Sequence, residues 1–95
     1  MKLPHTGIAG TMESGDMYVE VEPGTPGEIQ VELDSAVTSQ FGGQIRRTIQ
    51  QTLTDCGVDG ARVKAVDKGA LDCTIRARVT AAAYRGADEQ TVLWR

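Results

Sequence analysis

The alternation of apolar and polar positions predicts strands in the first third of the chain. Residues 7–12 can form a short first strand, and residues 17–21 alternate with the period of a half-buried strand. Two prolines and two glycines within residues 23–27 predict a turn, after which residues 29–33 alternate again. The pattern therefore predicts strand, turn and strand.

The period changes after residue 34 to one of three or four, which is typical of an amphipathic helix. Asp34 or Ser35 is available as its N-cap, and Gly57 is placed to end it. Each of two glycines at 42–43 costs about 1 kcal/mol in a helix interior. Either the helix packs closely against the sheet there, or it begins only at Gln44. The apolar positions of this helix are Val37, Phe41, Ile45, Ile49, Leu53 and Cys56.

The last third predicts a second pair of strands. Residues 61–66 read as a strand, residues 67–69 as a hairpin turn and residues 73–79 as the returning strand. The Ala-rich run 80–84 is expected to continue that strand and give way to a short helical turn. The predicted fold class is α+β, with two layers: an antiparallel sheet and one long helix packed on one face.

The length predicts one domain, which we assign to residues 7–86. The termini, residues 1–6 and 87–95, are expected to be flexible or to bind a partner. The first six residues contain a proline and a histidine but no apolar run, so we expect neither a signal peptide nor a membrane segment, and a cytoplasmic protein. Cys56 and Cys73 have no metal-ligand spacing, and we expect them to be reduced thiols and no metal to be bound.

Charge argues against nucleic acid as a partner. Ten basic and thirteen acidic residues give a net charge of −3, and no concentrated basic run is present. The pairs Arg46–Arg47 and Arg76–Arg78 are interpreted as solvated faces.

The chain lacks the residues of a catalytic centre. Its one histidine, His5, lies in the first six residues, which are expected to form a loose arm and so cannot supply positioned geometry. The glycines do not form a phosphate-binding pattern. The polar turn at 67–73 could serve recognition or be an ordinary hairpin turn.

Two serines remain as candidate sites. Ser35 follows Asp34, as in the attachment signal of phosphopantetheine carriers, but those carriers are helical bundles and capping accounts better for this serine. Ser14 lies between two predicted strands beside Gly15, in a turn that leaves it exposed and able to carry a covalent group. From the residues alone, a plain turn serine is the favoured interpretation.

Separated segments of the chain together resemble the acyl carrier (gamma) subunit of citrate lyase, from about Gly7 to Trp94. The carrier subunit of malonate decarboxylase is a near relative with similar features. The segments that carry the resemblance are residues 9–16, Phe41 with Gly42, residues 67–73 and residues 76–78.

The resemblance implies a non-catalytic carrier subunit. It implies that Ser14 holds 2'-(5''-phosphoribosyl)-3'-dephospho-CoA through a phosphodiester, with Gly15 and Asp16 as context for attachment. The implied partners are an alpha subunit (acyl transferase), a beta subunit (citryl lyase) and a prosthetic-group transferase. The alpha and beta subunits would process an acetyl or citryl thioester on the group and cleave citrate to acetate and oxaloacetate. The alternatives are a malonate decarboxylase carrier, an unmodified interaction domain, or a phosphopantetheine carrier modified on Ser35.

Overall fold

A computed structural model of the chain describes residues 1–35 and 38–87, without the side chains of residues 38–40. Four strands and two helices occur within these residues. In chain order they are β1 (Gly7–Ala9), β2 (Met17–Pro23), β3 (Ile29–Ser35), α1 (Thr38–Asp55), β4 (Ala61–Asp67) and α2 (Asp72–Gly86).

The strands form one mixed sheet in the order β1-β2-β4-β3. β2 pairs antiparallel with both β1 and β4, whereas β3 runs parallel to β4 because α1 carries the chain back between them. α1 packs on β3, α2 packs on β1 and β2, and the two helices contact each other. The predicted two-layer α+β class is confirmed, with a second helix in the helical layer. The predicted antiparallel sheet is wrong in one pairing, because the crossover through α1 makes β3 parallel to β4.

The core lies between the sheet and this helical layer. Alternate side chains of β2 and β4 point into it, as the period of two requires. The strand residues of the core are Ala9, Met17, Val19, Val21, Ala61, Val63 and Ala65, and the helix residues are Ile45, Ile49, Leu53, Ile75, Val79, Ala82 and Ala83. The other face of the sheet is polar and includes Glu20, Glu32, Arg62 and Lys64.

The predicted returning strand at 73–79 is wrong, because these residues belong to α2. β4 already has a strand on each side, so no sheet edge remains for a hairpin partner. The buried residues Ile75, Val79, Ala82 and Gly86 recur every three or four positions, which is the period of a helix. The Ala-rich run 80–84 is helical throughout.

Helix α1 ends just before Gly57, as predicted, but it begins at Thr38 and not at Gln44. Asp34 and Ser35 lie at the end of β3 and not at the helix terminus. The intervening residues 36–37, including the predicted helix position at 37, lie outside the described residues.

Residues 1–6 pack against the domain and do not form a loose arm. Leu3 is buried, and the Met1 ammonium group donates a hydrogen bond of 2.6 Å to the Gly57 carbonyl. The His5 amide donates to the Gly86 carbonyl at 3.1 Å. The first strand is shorter than predicted and ends at Ala9, and residues 88–95 lie outside the described residues.

Neither described helix combines the length and apolar character needed to cross a membrane. Among residues 1–35 and 38–87, no group of three or more His, Cys, Asp or Glu side chains could hold a metal ion. Both cysteines are free thiols.

Candidate functional site: the Ser14 loop

Ser14 lies in the connection between β1 and β2, residues 10–16, which we call the Ser14 loop. Met17, the first residue of β2, pairs with Asp67, the last residue of β4, and Ser35 at the end of β3 pairs with the same residue. The loop therefore lies at the end of the sheet where β3 and β4 finish. Both helices begin at this end of the molecule.

Ser14 occupies the first central position of a tight turn. The Asp16 amide donates to the Glu13 carbonyl at 3.1 Å, and Gly15 has φ of 84°, as the second central residue of a type II turn requires. Ser14 is exposed, and its hydroxyl makes no hydrogen bond within the described residues. A Cβ atom at Gly15 would have no neighbour within 4 Å. The turn therefore presents a hydroxyl group with open space beside it.

The backbone of the Ser14 loop is paired with the turn that follows β4. The Gly15 amide donates to the Lys68 carbonyl at 2.7 Å, and the Lys68 amide donates to the Asp16 carbonyl at 2.9 Å. At the other end of the loop a Cβ atom at Gly10 would lie 1.7 Å from the Met17 carbonyl oxygen, so only glycine permits this close approach. Two segments far apart in the sequence are thus in direct contact.

Asp16 is the polar centre of the loop and is only 9% exposed. Its carboxylate accepts hydrogen bonds from the Thr11 hydroxyl at 2.8 Å and from the Met17 amide at 2.7 Å. It also accepts two from Arg78 of α2, at 2.8 Å from Nε and 3.1 Å from the terminal nitrogen. The Arg78 hydrogen bonds, followed by those from Met17 and Thr11, hold the pKa of Asp16 well below its usual range. In turn, Asp16 raises the pKa of Arg78.

Asp67 shapes the turn on which the Ser14 loop rests. Its side chain is 2% exposed and accepts hydrogen bonds of 2.9 Å from the Ala70 amide and from the Ser35 hydroxyl. Ser35 is half-buried and bonded to a carboxylate, whereas Ser14 is exposed and its hydroxyl has no hydrogen bond within the part of the chain that the structure describes.

The structure brings the three predicted site residues Ser14, Gly15 and Asp16 together with the turn at 67–71. Sequence reasoning missed the part played by Arg78, which was interpreted as a solvated side chain. Arg46 also departs from that interpretation, because it donates to the Val31 carbonyl. Their neighbours Arg76 and Arg47 are exposed. No local pattern distinguishes the engaged member of each pair, since the partner of Arg78 lies 62 residues away in the chain.

Comparison with known proteins places the chain in a family. The sequence model of the acyl carrier protein family described as malonate decarboxylase delta subunit (MdcD) matches residues 4–86. The citrate lyase acyl carrier protein of Lacticaseibacillus casei is 47% identical over 94 residues, covering 99% of this chain and 92% of that protein. The protein of the same name from Vibrio cholerae is 49% identical over 94 residues, covering 99% and 96%. The chain belongs to this acyl carrier protein family.

A solved structure supports the fold of this acyl carrier protein. A chain of a Pseudomonas malonate decarboxylase hetero-tetramer in complex with malonate superimposes with a TM-score of 0.70 at 23% identity, covering 84% of this chain and 81% of that one. Membership of the acyl carrier protein family implies a covalently attached prosthetic group. The exposed hydroxyl of Ser14 and the open space at Gly15 fit such a group.

Proposed function

We propose that this protein is the acyl carrier subunit of a citrate lyase complex, and that Ser14 carries 2'-(5''-phosphoribosyl)-3'-dephospho-CoA through a phosphodiester. The observation that carries the proposal is the position of Ser14. Among residues 1–35 and 38–87 its exposed hydroxyl has no hydrogen-bond partner, and it lies in a turn whose Gly15 and Asp16 backbone is held by hydrogen bonds to Lys68. Gly15 keeps the space beside the hydroxyl open, and Asp16 anchors the turn.

The division of labour follows from what the chain offers. The group supplies a terminal thiol on which acyl groups are carried as thioesters. The domain keeps the attachment point exposed on a rigid scaffold, so the group has a high effective concentration at active sites on partner chains. We propose that the alpha (acyl transferase) and beta (citryl lyase) subunits perform the chemistry in the cytoplasm, after a transferase has attached the group. This chain is then a carrier without catalytic activity of its own.

Sequence similarity favours citrate over malonate. The relatives that are 47% and 49% identical over nearly their whole length are named for citrate lyase, whereas the malonate decarboxylase chain is 23% identical. A carrier subunit of malonate decarboxylase is the second candidate, because the matching family model bears that name.

Intact mass of the protein from its native host, grown on citrate, tests the attachment site. We expect the wild type to be heavier by one nucleotide-bearing group, Ser14→Ala to have the bare polypeptide mass, and Ser35→Ala to remain modified. An unmodified wild-type protein in cells that cleave citrate would overturn the proposal. Modification that survives Ser14→Ala and disappears with Ser35→Ala would instead identify a phosphopantetheine carrier.

Activity of the complex purified with the tagged wild-type protein separates the two acyl systems. We expect it to cleave citrate to acetate and oxaloacetate, and to lose this activity with Ser14→Ala. A complex that decarboxylates malonate and leaves citrate intact would establish the second candidate.

A further inference from the structure

We propose that Arg78 is a positioning residue for Ser14, acting through Asp16 to hold the attachment serine in the geometry that the modifying enzyme requires. The inference rests on the proposed function of Ser14. Nothing in the local sequence around Arg78 suggests it, since the residue lies in the middle of α2 and its partner belongs to the loop before β2.

The tip of the Ser14 loop has little support of its own. Residues 11–15 are all exposed, and no atom lies within 4 Å of the position that a Gly15 side chain would take. The loop is therefore fixed at its base, where Asp16 is buried. The contacts that fix Asp16 therefore determine the direction in which the turn of residues 13–16 projects from the domain.

Three residues donate hydrogen bonds to the Asp16 carboxylate, and of these three only Arg78 lies outside the loop and the strand that follows it. The Thr11 and Met17 hydrogen bonds are local to the loop and its strand. Arg78 reaches the carboxylate from α2 with two nitrogens, and α2 packs against β1 and β2. A paired guanidinium–carboxylate contact fixes both distance and orientation. Arg78 therefore joins the loop to the helical layer through a directional side-chain contact.

Backbone hydrogen bonds with Lys68 support the same turn, but they do not connect it to α2. The two hydrogen bonds between Gly15, Asp16 and Lys68 join one loop to another loop. Without Arg78, the loop keeps these two backbone hydrogen bonds and the Thr11 and Met17 hydrogen bonds to Asp16, none of which comes from α2. Displacements of about 1 Å in a reacting group are enough to slow an enzymatic step by up to about a hundredfold.

Arg76 provides a matched control on the same helix. Its closest approach to Asp55 is 3.8 Å, and both side chains are about half exposed, at 47% and 57%. In the Arg78 pair the distance is 2.8 Å and the Asp16 side chain is only 13% exposed. Removing either arginine changes the charge by the same amount, but only Arg78 touches the Ser14 loop.

The test measures prosthetic-group incorporation into unmodified full-length protein made in a foreign host. An extract of citrate-grown native cells supplies the transferase, and intact mass gives the initial rate as a function of carrier concentration. For Arg78→Gln we expect the maximal rate to fall about tenfold with little change in KM, because the hydroxyl is misplaced after docking. Arg78→Lys should recover part of the rate, and Arg76→Gln should match the wild type.

Folding is controlled by running the assay well below the melting temperature of every variant. A purely structural contact would lower the melting temperature and leave the rate of the fully folded protein unchanged. Asp16→Asn keeps the shape of the side chain but weakens the same contact from the other partner. It should therefore show the same loss of maximal rate. Amide resonances of Ser14 and Gly15 should shift in both variants.

The outcomes separate this inference from the proposed function. If the wild type is modified on Ser14 and folded Arg78→Gln and Asp16→Asn are modified at the wild-type rate, the positioning role is overturned and the attachment site stands. If the native-host protein carries no group on Ser14, the proposed function falls and this inference falls with it.

Discussion

Asp16 is the residue on which the site depends, and its protonation links the site to stability. Arg78, Met17 and Thr11 lower the folded-state pKa of Asp16. The unfolded chain has an ordinary aspartate pKa of about 3.9. The contribution of Asp16 to stability is therefore fully present above the unfolded pKa and is lost as the pH falls through the lower folded pKa.

We therefore predict that Asp16→Asn lowers the free energy of unfolding by about 1–2 kcal/mol near pH 7, because charge-assisted hydrogen bonds are lost. The loss is no larger because the Arg78 side chain is partly exposed and solvent screens its charge. Urea denaturation from pH 7 to pH 3 should show the gap between wild type and variant narrowing below about pH 4. Asp55→Asn alters only exposed contacts, with Arg76 and Gln51, and should change stability by less than about 0.5 kcal/mol. A gap that stays constant down to pH 3 would contradict this account.

The residues at the site were predictable to different degrees. Ser14 and Gly15 are recognisable because exposure and a left-handed turn are local properties of the sequence. The engagement of Asp16 with Arg78 is not, because it depends on where α2 packs. The pairing of the loop with Lys68 likewise depends on β4 lying next to β2.

At the scale of the elements, the strands and α1 were predictable, and the identity of α2 was not. Ile75 and Val79 are four residues apart, so they fit a strand and a helix equally well. Ala82, Ala83 and Gly86 fill the remaining buried positions and give little contrast in hydropathy. A strand at residues 73–79 is excluded as a hairpin partner because β4 already lies between β2 and β3, and this strand order is a property of the whole sheet.

Close packing of α2 on β1 makes a prediction at this scale. A Cβ atom at Gly7 would lie 1.8 Å from the Ala82 carbonyl oxygen of α2, so Gly7→Ala must push the helix from the strand. We expect a loss of about 3 kcal/mol, the upper end of overpacking effects. Thermal unfolding followed by circular dichroism measures it.

Gly43→Ala is the matched substitution in α1. Gly43 is exposed within the helix, and the nearest atom to an added Cβ is a side-chain nitrogen of Arg47 at 3.6 Å. We expect this change to stabilise the protein by about 0.5–1 kcal/mol through helix propensity. Equal melting temperatures for the two variants would show that α2 does not constrain β1 as described.

At the scale of the whole molecule, side chains from the helical layer cover the two edges of the sheet. The Glu28 carbonyl, just before β3, accepts a hydrogen bond from the Ala61 amide of β4. Successive carbonyls of a strand point to opposite sides, so those of Ile29 and Val31 point away from β4. These carbonyls accept hydrogen bonds from Gln50 and Arg46 of α1. On the opposite edge, Arg85 of α2 donates to the Ile8 carbonyl at 2.8 Å. The same helices that bury the core thus supply donors to three of the backbone carbonyls on these edges.

Unpaired edge strands promote association with other chains, so removing such a cover should be visible in solution. We predict that Arg46→Ala increases self-association at high protein concentration, because the Val31 carbonyl on the free edge of β3 loses its donor. Sedimentation velocity over a concentration series measures the shift relative to wild type. Arg47→Ala removes the same charge from an exposed neighbour and should leave the distribution unchanged. If both variants shift equally, the loss of a positive charge explains the effect and the edge does not. If neither shifts, the Arg46 contact does not protect the edge.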